Sequence, residues 1–414
     1  MALSSSYSDQ THKNASKSMQ SNLSRFETSG EFDTPEIAVE TIDGIERFEE
    51  LEAVWNELFA RAAEPKNVFQ SFNWHWHWAR HYLKKDDQSL RIVAVWCGDD
   101  LIMVWPLVMT TALGVRQLKW MGAPVSQYGD ILVDRKFASA EIIEPVWQYI
   151  ARHIKTDVIS LEKVRADAQI APLLKAGKSV VTGCMDAPYL DLASAENYAE
   201  YEKRYSSKAR KNRRRHRRRL GEQGDVQCSI LETGEDARAT VAEAIALKRD
   251  WLKAKGLVSR AYSDTRFDAF FADVAGSTDH PCGCLISVLK CGSEAVAYDI
   301  GFKAGTNYVV HIGAYNHEYE KVSPGSLLTE DFLNECYDLD IETYDLMAPS
   351  ASYKMSWADD CVSLCDYAYP LNTRGFLYAK GILWFLRNAI KKTLKHTPVK
   401  LLQTMRPVFR LAGL

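Results

Sequence analysis

Between Tyr308 and Trp357 lie residue types that can bind an anion, move a proton and stabilise negative charge. The apolar run Tyr308 to Tyr315 leads to Ser323-Pro324-Gly325, and Ser326 opens a helix-patterned stretch that ends at Leu339. A strand feeding a glycine turn at a helix start presents unpaired N–H groups and the positive end of the helix dipole. Such a cradle suits a pyrophosphate or a carboxylate held by Ser323, Gly325 and Ser326. A Pro-Gly turn that merely caps a structural helix fits the same residues. Further on, Asp345 ends a short strand pattern and Tyr353-Lys354-Met355-Ser356-Trp357 follows. Asp345 or His311, each on a strand expected to be central, could take a proton directly or through water. Lys354 could meet charge developing on a carbonyl oxygen, and Tyr353 could donate to a leaving group. The plain alternative for each is a satisfied core or loop polar group.

The net charge of −3 hides an asymmetry. Lys203 to Arg219 holds 11 Lys or Arg and no acid, and Leu371 to Leu414 holds 9 and no acid, leaving 31 bases against 54 acids elsewhere. Local anionic ligands explain this better than a general nucleic-acid surface. The first run has only Tyr205 and His216 for base stacking and no partner motif, so no sequence-specific nucleic-acid binding is expected. Its alternatives are a solvated helix face or a grip on substrate phosphates. In the second run, Leu383, Leu386, Ile390 and Leu394 share one helix face, with Lys380, Arg387, Lys391 and Lys395 near another. A basic amphipathic helix over 376–395 can lie on an anionic membrane or pack back onto the domains.

His77 and His81 stand one helical turn apart, but no Glu lies between them and no third ligand is evident; Trp74, Trp76 and Trp78 make a packed helix the better reading. Cys282 and Cys284, beside His280, lack a second pair at zinc-site spacing, so no metal is expected. The nine cysteines are expected as thiols, mostly buried. No Gly-x-Ser-x-Gly elbow exists, which leaves hydrolase chemistry without support.

These groups need a scaffold. With 414 residues, 46% hydrophobic and 25% charged, the chain has the composition of globular domains and the length for two. No run approaches the ~20 apolar residues of a membrane span, and the N-terminus has no apolar core of a secretory signal, so a cytoplasmic protein is expected. Residues 1–34 read as a disordered leader and 35–190 as a first domain: two helices over Ile45–Ala62 and Ser71–Tyr82, strands over Arg91–Trp96 and Leu101–Met109 split by Gly98-Asp99-Asp100, further strands, a helix over Ala138–Ile154, and a strand at Val158–Leu161. Residues 191–370 repeat the order with a basic helix (197–220), two more helices, a hairpin through Lys290–Ser293 and the stretch described above. Residues 371–414 form basic amphipathic helices. The common order suggests a duplicated domain, and the pattern is α/β.

The Ser-Pro-Gly turn, the strand with Asp345 and the Tyr-Lys-x-x-Trp sequence resemble the second domain of the CelD-like acetyltransferases, a GNAT-fold group linked to cellulose and exopolysaccharide production and similar to the FemABX peptidyltransferases. Phe69–Trp78, Met121-Gly122, Tyr128-Gly129-Asp130 and the Ser206–Arg215 run fit as well, so the resemblance spans about residues 40–370. It implies two GNAT-like lobes with mixed sheets around a central cleft, and transfer of an acyl group, acetyl first, from acyl-CoA. The acceptor would be an amine or hydroxyl of a carbohydrate or of a nucleotide- or lipid-linked sugar. Direct transfer needs no covalent enzyme intermediate. The resemblance also places Ser207, Lys208, Arg210 and Lys211 on the acceptor side, with Trp357. Around Gly325 the chain has Val322 and Leu327 where GNAT loops carry Gln or Arg and a small residue, which keeps aminoacyl-tRNA open as the alternative donor. A non-catalytic binding protein of exopolysaccharide assembly is the reading from another class.

Overall fold

A computed structural model describes residues 23–26, 37–83, 88–256, 259 and 261–386. In chain order the strands are β1 (Leu23–Phe26), β2 (Ile37–Ile42), β3 (Gln88–Leu90), β4 (Ile92–Cys97), β5 (Asp100–Trp105), β6 (Leu107–Ala112), β7 (Val115–Trp120), β8 (Leu132–Val133), β9 (Val158–Arg165), β10 (Val180–Asp191), β11 (Val226–Glu232), β12 (Cys284–Cys291), β13 (Glu294–Ala304), β14 (Asn307–Tyr315), β15 (Thr343–Asp345) and β16 (Asp360–Pro370). One sheet runs β1-β2-β4-β5-β8. A second, of 11 strands, runs β11-β12-β13-β14-β15-β10-β16-β9-β7-β6-β3 and crosses both halves.

Each half contains the same crossover. β7 passes through helix Ala140–His153 to pair in parallel with β9, and β14 passes through helix Pro324–Asp338 to pair in parallel with β15. All other ladders among the described residues are antiparallel. The halves join at β10 and β16, two strands without a clear period in sequence. Gly183 and Pro188 interrupt β10, and acids punctuate both. The apolar run expected as one strand over 101–109 is two strands in two sheets. Pro106, which cannot donate to a ladder, divides them. The basic stretch is broken at Tyr205–Ser206, and its main helix covers Ser207–Gly221. Leu23–Phe26, inside the expected leader, pairs antiparallel with β2; the rest of 1–36 and all of 387–414 lie outside the described residues.

The core is shared between halves. Trp74, on helix Phe72–Tyr82 of the first half, meets Phe270 and Phe302 of the second edge-on, at 5.2 and 5.1 Å between ring centres. Burying aromatic rings across this seam removes a large apolar area from water and holds the lobes against one another. One sequence expectation fails here. Cys184 on β10 lies directly opposite Cys365 on β16 and forms a disulfide with it. A separation of 181 residues hid the pair from any reading of spacing, and strand register creates it.

Candidate active site

The parallel pairing of β14 with β15 lasts three residues, from Asn307↔Thr343 to Val309↔Asp345. β14 then continues to Tyr315, while the other chain leaves the ladder as Leu346–Met347 and returns through the short helix Ser352–Met355. The strands therefore part, which leaves the ladder open beside His311, Gly313 and Tyr315. Two lysines reach its edges. Lys354 Nζ donates to the Met347 carbonyl at 2.8 Å, and Lys248 Nζ, from helix Glu235–Ala254, donates to the Gly313 carbonyl at 2.7 Å. Burial lowers the pKa of both. Lys354 falls to about 8, with Asp345 opposing and Lys248 reinforcing the drop. Two partly desolvated ammonium groups beside one opening favour an anionic or strongly polarised oxygen between them.

Beneath Gly313 sits Asp299 of β13, its cross-strand partner. A Cβ added at Gly313 would stand 3.0 Å from Asp299 Oδ1, so glycine keeps the carboxylate open on that side. The carboxylate of Asp299 accepts one long hydrogen bond, 3.5 Å from the Tyr344 hydroxyl. Burial raises its pKa to about 7 against the pull of Lys248. Tyr353, 65% exposed, has its pKa raised by partial burial and by the Asp299 charge.

Asp345 is held differently. The Tyr128 hydroxyl donates to both oxygens at 2.7 Å, the Met347 N–H to Oδ1 at 2.7 Å, and Arg165 to Oδ2 at 3.2 Å. Burial raises its pKa, opposed first by Arg165. This carboxylate closes the seam between the halves, where Lys66, Arg165, Tyr189 and Asn307 help line a polar pocket of about 250 Å³. His311 faces the seam too. Phe69, Trp74, Phe271 and Phe302 surround its ring, and its Nε2 lies 2.7 Å from the Val125 carbonyl. That contact requires Nε2–H and leaves Nδ1 as a buried lone pair without a partner. Burial lowers the pKa of His311 to about 4, so the ring is neutral near pH 7.

At the helix start, Ser323 takes a left-handed conformation (φ 50°), and its carbonyl accepts the Ser326 N–H at 2.9 Å and the Leu327 N–H at 3.3 Å. Pro324 has no N–H, so the Gly325 N–H is the open amide of this turn. A Cβ at Gly325 would meet only Tyr315 Cδ1, at 3.9 Å. The basic helix Ser207–Gly221 runs antiparallel to helix Pro324–Asp338. Arg213 pairs with Glu330 at 2.5 Å, Arg217 with Asp331, and Leu220 packs with Val322 and Leu327. Ser207, Lys208 and Lys211, exposed, and Arg210, half-buried, therefore lie at the end away from the Ser323–Ser326 turn. Trp357 is buried against Tyr205 (5.2 Å) and under the Arg213 guanidinium (4.7 Å), tying the return segment to the basic helix. Sequence reasoning did not single out Lys248, Asp299 or Arg165. An acid inside the apolar run Val296–Phe302 was the one available signal, since an unpartnered charge in a buried strand is costly. His77 and His81 contact the His280 carbonyl (3.0 Å) and Asp273 (2.7 Å), and the described residues hold no cluster able to bind a metal.

Residues 207–355 match the family described as Acetyltransferase (GNAT) domain. The match begins at the basic helix and ends just past Lys354. No curated protein matches the sequence. Among solved structures, the crystal structure of FemX shares 12% identity and covers 82% of this chain and 98% of its own, with a TM-score of 0.55. A conserved protein of unknown function from Bacteroides thetaiotaomicron VPI-5482 gives 13% identity, 80% and 99% coverage and a TM-score of 0.49. L-PGS from Bacillus licheniformis gives 13%, 80% and 96%, and 0.47. The likeness to FemX shows the fold: a mixed α/β chain of two GNAT-like lobes, as the resemblance in sequence implied.

Proposed function

We propose that the chain is an acyltransferase that moves an acyl group, acetyl first, from acyl-CoA to an amine or hydroxyl of a carbohydrate or a nucleotide- or lipid-linked sugar, in the manner of the CelD-like enzymes. The observation that carries this is the parting of β14 and β15 beside two lysines, next to a helix whose first turn keeps one amide open. A donor in the opening would set its pyrophosphate at the Gly325 N–H and the end of the helix dipole. Its thioester carbonyl would lie toward Lys354. The acceptor's nitrogen or oxygen attacks the carbonyl carbon, and charge gathers on the carbonyl oxygen, where Lys354 stabilises it. The C–S bond then breaks, and the Tyr353 hydroxyl can protonate the departing thiolate.

The acceptor's proton needs a base. Asp345 already accepts from three groups, which ties it to the seam. Asp299, with one long hydrogen bond and an open side toward Gly313, suits the task through a bridging water, and His311 Nδ1 is the second lone pair in reach of this strand. Calorimetry with acetyl-CoA, longer acyl-CoAs and charged tRNA tests the proposal. Acyl-CoA binding is expected. Binding of charged tRNA alone would move the chain to the FemABX-like reading, and binding of neither would leave a non-catalytic partner of polysaccharide assembly.

A further inference from the structure

After Pro370 the chain turns at Asn372, whose side chain caps Gly375 (2.9 Å), and runs as helix Thr373–Leu377 and then with wide π-type turns over Tyr378–Leu386. Tyr378, Ala379 and Leu383 pack on Val115, Val158, Val180 and Ala368 of the large sheet. The opposite side is also apolar. Phe376 (49%), Leu377 (65%), Trp384 (47%) and Phe385 (65%) stand exposed. Leu113, 54% exposed, lies at the hairpin tip where the Gly114 carbonyl accepts from Arg374 at 3.3 Å. Four large apolar side chains on one helix face form a patch that water does not favour, and such patches mark contact surfaces.

Charge decides what covers it. Lys380 is exposed within the patch, 5.9 Å from the Trp384 ring, and residues 371–414 hold 9 Lys or Arg and no acid. A second copy meeting this face by two-fold symmetry would set cations against cations with no acid in the segment to offset them. An anionic bilayer surface complements both features, because Trp and Phe rings settle at headgroup depth while Lys and Arg meet lipid phosphates. We infer that the face presented by residues 373–386 docks this protein on the surface of an anionic membrane. No helix among the described residues is long and apolar enough to cross a membrane, and the contact inferred is with one leaflet.

Sedimentation of the full chain with vesicles tests this independently of any acyl transfer. The protein is expected to pellet with phosphatidylcholine vesicles containing about a third phosphatidylglycerol and to stay in solution with phosphatidylcholine alone. Raising salt from 0.1 to 0.5 M should cut the bound fraction at least tenfold, since salt screens the attraction of each cation to the anionic surface. W384S/F385S should lose binding at least tenfold with an unchanged melting temperature. W384F, which keeps the apolar face, should still bind but lose part of the fluorescence quenching by brominated lipids. Equal binding to both vesicle types, or by W384S/F385S and wild type, overturns the inference. So does a dimer in sedimentation velocity that W384S/F385S dissolves, because the face would then belong to a second copy.

Discussion

The two parallel crossovers are the same device with opposite outcomes. In the first half, β7 and β9 pair from Gln117↔Val158 to Lys119↔Ser160, and the chain after Trp120 then folds back along β9. The Gly129 N–H donates to the Lys163 carbonyl at 3.1 Å, and a Cβ at Gly129 would strike the Trp120 ring, so ring and glycine fill the place where an opening would be. Lys163 Nζ is bound by the Ser126 carbonyl (3.0 Å) and Gln127 Oε1 (2.8 Å), and Asp130 accepts from the Ile131, Gln169 and Ile170 amides. In the second half no described strand pairs with β14 beyond Val309 on the side of β15, and the lysines and the carboxylate there keep valences free. One crossover is spent on packing the lobes together, and the other leaves polar groups unspent where its strands part.

Exchanging the lysines tests this contrast hardest. Lys354→Met should lower kcat and kcat/KM together by ~10²–10³, the loss expected when one donor to a developing oxyanion is removed. Its melting temperature and donor affinity should stay near wild type. Lys163→Met should do the reverse, leaving turnover nearly unchanged and lowering stability by about 1–3 kcal/mol as its acceptors go unsatisfied. If Lys354→Met retains more than a tenth of wild-type turnover, the second opening is structural like the first.

The pH profile should separate the two open groups. Asp299, with its pKa raised to about 7, acts as base only when deprotonated, so kcat/KM should rise through about pH 7. Lys354, with its pKa lowered to about 8, stabilises charge only when protonated, so the rate should fall above about pH 8. Asp299→Asn should remove the rising limb, and Lys354→Arg should push the falling limb out of range. A rising limb that survives Asp299→Asn but is lost in His311→Gln would transfer the base to His311.

The contrast also shows what sequence can and cannot reveal. The crossover around Gly325 was legible because its parts are contiguous: strand, turn, helix and the Tyr-Lys-x-x-Trp segment follow one another within 50 residues. The two-lobed fold was legible from the repeated order of elements and from the resemblance. Lys248 and Asp299 were not, because a lysine in a charged helix and an acid in a strand acquire meaning only from what register and packing set beside them. β10 and β16 escaped for a related reason. Gly183, Pro188 and the acids Asp186, Asp360 and Asp366 stand within them, and such residues break the alternating run that marks a strand in sequence.

At the donor turn the expected effect is smaller. Gly325 has open space where a side chain would project, so Gly325→Val should fold, while its bulk would keep a pyrophosphate from the one free amide of the turn. A drop of at least tenfold in acyl-CoA affinity by calorimetry is expected, and unchanged affinity would remove the turn from the site. No equivalent test exists in the first half, where helix Ala140–His153 starts at Ser139 without a glycine.

The basic helix should give the smallest effect, and its geometry says why. Arg213 and Arg217 are committed to Glu330 and Asp331, so they anchor the helix and should be left in place. Lys208, Arg210 and Lys211 stand at the other end and form no ion pair among the described residues, and the first half carries no comparable run of cations. If they meet phosphates of the acceptor, Lys208→Ala/Arg210→Ala/Lys211→Ala should raise the KM for a nucleotide-linked sugar about three- to tenfold and flatten its salt dependence, since exposed charges act within a Debye length of about 8 Å at physiological salt. Acyl-CoA affinity should change little, because the Gly325 turn lies at the far end of the helix. A KM and salt slope equal to wild type would make this end a solvated face, and the acceptor would then be sought on the Tyr353 side of the opening.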